Sequence, residues 1–515
     1  MSELEMRFYS YRSPKKGYSW ETPPEPIPES EISETVTTEV LVIGGGISGL
    51  AASARCADKG LKVVTLDKNE KMFALAGQIA AVNSRIMAEK GIVVDKKMLA
   101  ADWLKMSGSR VQEDLLWLFI NRSAEGFHWM LDLAEDAVDV GVYEAYKGPM
   151  FSEYPCTHHI WKKPENTKYH HRGGGYLACE ILETALLEKG GTLLRSTAAL
   201  YLEKNDAGRV TGCIARCADG KLRRYQGTKG VVLATGDCSE DQEMMEAFCQ
   251  IGTRAPAKWP RPGNTGDGQK MAYWAGAALD NPEWAITLHA LGGCGFQGFF
   301  LHVNRLGKRL MNEDTWMQAK SVRCMMQPGG DYAWSIQDGK YLDEMAERFD
   351  ELGGQGMMPL SEVGGHFRRE HMAQTMQGYI DKGNAFCADM LGELAEKIDV
   401  PAENLRATVA RYNEIVATGD DVDFGKRARL LTSVEKPPFY ALKWGPMLLD
   451  VFGGAQVDVT LNVIGPDCKP IPGFYAVGNA AGGMYAVDYP LLLNGNSYGR
   501  ALAYAMQIAD VLSAQ

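Results

Sequence analysis

What the chain lacks narrows it first. None of its eleven cysteines forms a C-x-x-C or C-x-x-C-H pair, the closest two being Cys213 and Cys217, so neither a zinc ribbon, a covalent haem nor a cysteine-ligated cluster is expected. Thiols without a disulfide framework suit a reducing compartment, and a cytoplasmic protein is expected. The opening residues MSELEMRFYSYRSPKKGYSW hold no apolar core of signal-peptide length, and no apolar run reaches the length of a membrane span, so no membrane partner is expected. Basic residues are in the minority, 54 Lys+Arg against 65 Asp+Glu, and the net charge of −11 argues against a nucleic-acid partner. Histidine is scarce at nine; His158, His159, His170 and His171 cluster, but with lysines between them and no carboxylate at ligand spacing. They read as a polar loop near a pocket, and no metal is expected.

What is present points to more than one unit, since 515 residues exceed a single compact core. Residues 1–37 read as a loosely packed N-terminal arm, because the prolines of ETPPEPIPESEISE prevent helix. EVLVIG then reads as a strand buried on both faces, SGLAASARCADKG as a helix stopped by Gly60, and LKVVTLD as the next parallel strand. The stretch 191–236 alternates and turns at Asn205–Gly208 and Asp219-Gly220 as an antiparallel meander would, ending in the buried strand GVVLATG. Beyond Pro282 the texture becomes rich in Met, Trp and Gly and then helical, as in EHMAQTMQGYIDKGNAFCADMLGELAEKI and PAENLRATVARYNEIVATG. From Gly453 the strand-like, glycine-punctuated texture returns, which is the pattern of one domain interrupted by another.

Gly44, Gly46 and Gly49 form G-x-G-x-x-G between a strand and a helix, and Asp67 closes the second strand. Such a turn needs one glycine for its bend, one to let a pyrophosphate approach the backbone and one for helix packing, while the acid accepts from ribose hydroxyls. The dinucleotide itself is identified by further motifs. The chain from about residue 38 to 515 resembles the fumarate reductase and succinate dehydrogenase flavoprotein superfamily, which includes 3-ketosteroid dehydrogenases. GGGISGLAA is similar to its FAD fingerprint, AGQIAAVNS with Gly77 to the loop beneath the flavin, and GVVLATGD with Ala234, Thr235 and Gly236 to its Ala-Thr-Gly strand end. NTGDGQKMAYWAGAAL with Asp267 resembles its T-G-D-G helix start, NRLGKRLMNED its G-x-R-x-x-N-E segment, and PIPGFYAVGNAAGG with Gly478 and Asn479 its P-G-L-Y-A-x-G stretch.

The resemblance implies an FAD cofactor and a last helix whose N-terminus is aimed at the flavin, with Asn496, Ser497 and the following amides stabilising negative charge on the reduced ring. The same Asn494–Ser497 run also reads as a helix cap, and both readings stay open. It further implies two arginines that hold and protonate a dicarboxylate, but the matched positions here are Tyr489 and Met317, and Asp450 stands where a histidine is expected. Without a guanidinium clamp a small dicarboxylate is a poor substrate. Tyr489-Pro490 instead resembles the Tyr-Pro of 3-ketosteroid dehydrogenases, whose hydroxyl polarises a substrate carbonyl; a core tyrosine is the rival reading. Tyr489, Arg323 and His289 are the catalytic candidates, and Trp316 and Tyr332 could also face the flavin.

The expected fold class is α/β: a Rossmann-type FAD-binding domain (38–282 and 451–515) interrupted by a smaller α+β cap or substrate domain (283–450). The expected function is FAD-dependent reduction of the enone of a neutral, bulky, steroid-like or polyphenol-like small molecule, with an external electron donor that the sequence does not identify. Two alternatives stay open: 3-ketosteroid-type dehydrogenation in the reverse direction, and a flavin electron-transfer subunit without a small substrate of its own.

Overall fold

Val40–Ile43 offers no polar side chain to water, and in the computed structural model, which describes residues 17–75, 77–143, 152–295, 298–348 and 367–515, it lies fully inside a parallel sheet. The strand Ile32–Ile43 pairs in parallel with Leu222–Leu233 on one side and Val63–Leu66 on the other. Pro470–Ala476 and Thr192–Leu194 extend the parallel set outward. Leu222–Leu233 also closes the expected antiparallel meander with Ala198–Lys204 and Val210–Arg216, whose turns are held by the side chains of Asn205 and Asp219. The helices Ile47–Asp58, Glu113–Leu133 and Asn496–Ser513 pack on one another beside this sheet, so the last helix of the chain sits next to the first.

Two parts of the arm reading need correction. Residues 32–37 lengthen the first strand, because Ile32 to Thr37 find backbone partners along Leu222–Gln226. Upstream, the described part is anchored at its start, where Tyr18 and Trp20 are buried, with Trp20 against Phe248 and Tyr273 and its carbonyl accepting from Trp274 Nε1 at 2.7 Å, while residues 22–26 and 28–31 are exposed. Residues 1–16 of the expected arm lie outside the described residues, as do 349–366 of the expected cap.

Between the two halves of the parallel sheet's sequence, a four-stranded antiparallel sheet runs Leu301–Val303, Ala333–Gln337, Phe439–Trp444, Ala385–Ala388. It has its own core, where Leu301, Trp334 and Ile336 meet Leu394, Leu405 and Tyr412 from the helices Leu391–Lys397 and Ala402–Thr418. The stretch read as helical from Glu370 to Ile398 is broken. Gly383, at φ 70°, ends the helix Arg369–Asp381, and Ala385–Ala388 pairs with Phe439–Leu442 as an edge strand. A three-stranded sheet joins the units: Met447–Phe452 pairs with Ala257–Lys258 and with Ala285–His289, so the expected junction at 450/451 falls inside a strand.

The last helix reaches its position through small residues. A Cβ on Gly126 of the helix Glu113–Leu133 would lie 2.7 Å from the carbonyl group of Leu502. Gly126→Ala gains about 1 kcal/mol of helix propensity but forces the two helices apart, at a cost of about 1–3 kcal/mol or more. The overpacking wins, so the variant is expected to unfold at a lower denaturant midpoint than the wild type, measured by equilibrium unfolding.

Candidate active site

At their C-terminal ends the parallel strands open into a cleft, the place where a doubly wound sheet offers backbone amides to a ligand. The three glycines of the first turn divide the work there. An added Cβ would overlap the Ala234 carbonyl oxygen at Gly44 and the Gly44 carbonyl oxygen at Gly49, whereas at Gly46 it would meet nothing within 4 Å. Gly46 thus presents open space at the N-terminus of a helix that has no side-chain cap, which is an anion cradle. Asp67 lines the cleft, partly tied to Arg195 Nη1 at 3.2 Å, and burial raises its carboxyl above the ordinary range. Gly45 must be small because a Cβ would sit 2.6 Å from Asp67 Oδ2.

Further along, Ala234, Thr235, Gly236, Asp267, Asn479 and Ser497 also line the cleft. The Thr235 hydroxyl is buried there without a hydrogen-bond partner, and Asp267 is fixed by Lys68 Nζ at 2.6 Å and the Thr265 hydroxyl at 2.8 Å. These features fit a dinucleotide along the strand ends: Gly46 would receive the pyrophosphate, Asp67 would accept from ribose hydroxyls, and Thr235 and Asn479 line the cleft beyond them. Gly49, Gly77 and Gly478 stand behind the wall, where a Cβ at Gly77 would press on Gly174 at 2.7 Å and one at Gly478 would overlap the Ser48 hydroxyl.

Two expectations at the last helix are corrected. Asn496 does not face the cleft: its Oδ1 accepts from the Tyr485 hydroxyl at 2.6 Å and its Nδ2 donates to the carbonyls of Pro490 and Leu493, so it ties the preceding loop together. The Ser497 amide donates to the Tyr489 hydroxyl at 3.1 Å, so this first-turn N–H serves a tyrosine.

Tyr489 and His289 line the cleft together with Met317 and Trp316. The Tyr489 ring stacks on Phe452 at 4.6 Å, and burial pushes its hydroxyl up to about 12. Both ring nitrogens of His289 are buried without a partner, and burial takes its pKa down to about 4, so the imidazole is neutral. Arg323 is not in the cleft. The helix Met317–Met325 turns Met317, Ser321 and Cys324 inward and leaves Arg323 exposed on the opposite face. Tyr332 is not there either; it stands in the antiparallel sheet region beneath the side chains of Arg305 and Lys443. The clustered histidines do not form a loop by the cleft. His158 and His159 belong to the strand Thr157–Lys162, His158 is bonded to Ser84, and His170 and His171 both address Glu180.

One further cleft residue carries no signal in the sequence. Arg261, 8% exposed, meets the Asp450 carboxylate and lies 3.9 Å from Asp237 Oδ2. It belongs to no motif, and only the pairing of Ala257–Lys258 with Met447–Leu448 carries its loop to Asp450.

The FAD binding domain family matches residues 39–496. The chain belongs to this family. Over 494 residues this flavoprotein is 26% identical to a probable fumarate reductase of Shewanella frigidimarina, covering 92% of this chain and 74% of that protein. Over 488 residues it is 24% identical to a vinyl phenol reductase of Lactiplantibacillus plantarum, covering 90% and 94%. A 3-ketosteroid-Δ4-(5α)-dehydrogenase from Rhodococcus jostii has the same fold, with a TM-score of 0.75 at 21% identity over 95% of this chain and 100% of that one. The resemblance to the fumarate reductase and succinate dehydrogenase superfamily and the FAD cofactor are borne out, and the flavoprotein is an FAD-dependent oxidoreductase. Among the described residues no helix is long and apolar enough to cross a membrane.

The open face of Gly46 yields a direct check. Gly46→Val fills the cradle while touching no neighbour, so the variant is expected to fold like the wild type but to lose FAD, read as loss of flavin absorbance after gel filtration; flavin retained at wild-type stoichiometry would place the pyrophosphate elsewhere.

Proposed function

We propose that the chain reduces the carbon–carbon double bond of a neutral, bulky enone, steroid-like or polyphenol-like, held between an FAD-binding domain (38–282 and 451–515) and a cap (283–450). The observation that carries the reading is the hydrogen bond from the Ser497 amide to the Tyr489 hydroxyl at 3.1 Å. It occupies the phenol oxygen as an acceptor and leaves the O–H hydrogen to donate into the cleft, at the positive end of a helix. With its pKa held near 12 the phenol stays protonated at neutral pH, as a carbonyl-polarising donor must.

FAD, when bound, supplies the hydride for the β-carbon. The residues of the chain position the acceptor: Phe452 fixes the Tyr489 ring, while Met317, Trp316 and the neutral His289 give the cleft a largely uncharged wall. Support for a neutral substrate comes from the charges as well, since Arg261, the one guanidinium among the described cleft residues, already has Asp450 and Asp237 beside it. The similarity to a vinyl phenol reductase favours an uncharged unsaturated compound, and that to a fumarate reductase favours reduction of a double bond.

The test is reoxidation of the dithionite-reduced holoenzyme by a panel of enones and vinyl phenols, with fumarate alongside. Enones are expected to reoxidise it, and Tyr489→Phe to keep FAD while slowing the single-turnover step about 100–1000-fold, the usual loss for one oxyanion donor. An unchanged rate would remove Tyr489 from the chemistry, and fumarate turnover at about 1–1000 per second would overturn the neutral-substrate reading.

A further inference from the structure

The reading of the site as an ene-reductase leaves a proton unassigned. Hydride addition to the β-carbon of an enone must be matched by a proton at the α-carbon, and the side chain at 317, where the resemblance implies an acid, is a methionine that cannot supply one. A protonated group has to face the cleft from somewhere else.

The strand Met447–Phe452 provides one. Its pairing with Ala285–His289 slips between Thr287 and Leu288, so that Leu449 is an extra residue in the ladder. A bulge of this kind re-aims side chains, and here Leu449 and Asp450 both line the cleft. Asp450 lies two residues before Phe452 on the same strand face, and Phe452 is the ring on which Tyr489 stacks. The carboxyl and the phenol therefore share one wall of one cleft.

The proton count around Asp450 follows from its neighbours. Asp237 is provided for as an anion: its Oδ1 accepts from the Ser239 amide at 2.9 Å, the Ser239 hydroxyl at 2.8 Å and Asn264 Nδ2 at 2.9 Å, and its Oδ2 from the Val451 amide at 3.1 Å. Four donors thus occupy the two oxygens of Asp237. Asp450, the residue before Val451, shares the single Arg261 guanidinium with it. Two carboxylates and one guanidinium in a buried place leave an uncompensated negative charge, and one proton on the pair removes it. Because donors already fill both oxygens of Asp237, while Asp450 has a cleft in front of it, the proton is assigned to Asp450. The other titratable groups bearing on Asp450 are the phenols of Tyr485, Tyr489 and Tyr498, which burial keeps neutral at neutral pH; His289, which lines the same cleft, is neutral as well, and none offers a second positive charge. Burial and the Asp237 carboxylate both push the Asp450 carboxyl above the ordinary range, while Arg261 opposes them.

We propose that Asp450 is the proton donor to the substrate's α-carbon, held in place by Arg261 and kept protonated by Asp237. The proposal rests on the ene-reductase reading. In the step, the β-carbon takes a hydride from the reduced flavin, the double bond's electrons form the new α-C–H bond with the Asp450 proton, and the carboxyl O–H breaks. The substrate gains two electrons and the flavin loses them; Asp450 is left as a carboxylate beside Arg261 and recovers its proton from water. A two-electron donor, dithionite in the assay, recharges the flavin.

Asp450→Asn keeps the shape of the side chain and removes the acid. With flavin retained, it is expected to slow single-turnover reoxidation by an enone about 100–10,000-fold, the range of one general acid. The wild-type rate should fall as pH rises through the Asp450 titration, because the protonated form is the active one, and that limb should be absent in the variant. Asp450→Glu should restore part of the rate and the limb, which a purely structural role would not. A second readout needs no turnover: carboxyl signals of aspartate-labelled protein should include one that keeps its proton into the neutral range and vanishes in Asp450→Asn. Should Asp450→Asn lose its flavin, Asp450→Glu and the carboxyl titration decide. An unchanged rate and pH profile in an enone-active enzyme, or aspartates that all titrate in the ordinary acidic range, would overturn the donor role alone; a wild type that no enone reoxidises would overturn the substrate reading and the donor role with it.

Discussion

The contact on which the site depends is the docking of the last helix onto the strand Gln78–Ala80. Gly495 and Gly499 make it possible, since a Cβ on either would overlap the backbone of that strand, at the Gln78 and Ala80 carbonyls. In their absence of side chains the Ala80 amide reaches the Gly495 carbonyl at 3.0 Å, and the Tyr498 hydroxyl clasps Leu75, accepting from its amide at 3.1 Å. The segment that ends the chain is thereby fixed against the loop that follows the second strand. Everything between Tyr485 and Ser497 is hung from that joint, including Tyr489, and Asn496 binds the loop to the helix from inside.

Buried charge is handled in two different ways in the molecule. Beside the four-stranded antiparallel sheet, Arg309 bridges Glu313 and Asp421 at 2.8 Å each, and Lys426 adds a further cation 3.3 Å from Glu313. That network lies away from the cleft, so the charged residues of the G-x-R-x-x-N-E segment pair with one another rather than with the cleft. Removing one member of such a set strands its partner, at about 3–5 kcal/mol. At the cleft the balance is deliberately different: Arg261 has two carboxylate neighbours, and one of them faces the substrate space. A closed network stabilises, whereas one with a carboxyl in excess holds a proton where chemistry can reach it.

Much of the fold was legible because its signals are local. The run EVLVIG needs two apolar faces and so a central strand; Gly44, Gly46 and Gly49 need a tight turn, a ligand and a close helix, and each finds the role its spacing implies. The meander was legible from its turns, and Asp67 from its place at a strand end. The errors also have local causes. Helical spacing between Glu370 and Ile398 hides a short strand that pairs with Phe439–Leu442, and the place of Arg323 in the inserted segment does not reveal that its turn of the helix points outward.

The sequence by itself determined the nucleotide-binding turn, the parallel strands and the family to which they belong, because backbone conformation and burial at those positions depend on residues a few places apart. Only the tertiary structure decided which polar groups meet in the cleft. Arg261, Asp450 and Tyr489 come from three distant segments, joined through the pairing of Ala257–Lys258 with Met447–Leu448 and the stacking of Phe452 on Tyr489. No periodicity encodes such a meeting. Burial, Arg261 and Asp237 around Asp450, and the Ser497 amide at the Tyr489 hydroxyl, are surroundings in space that the order of residues does not reveal.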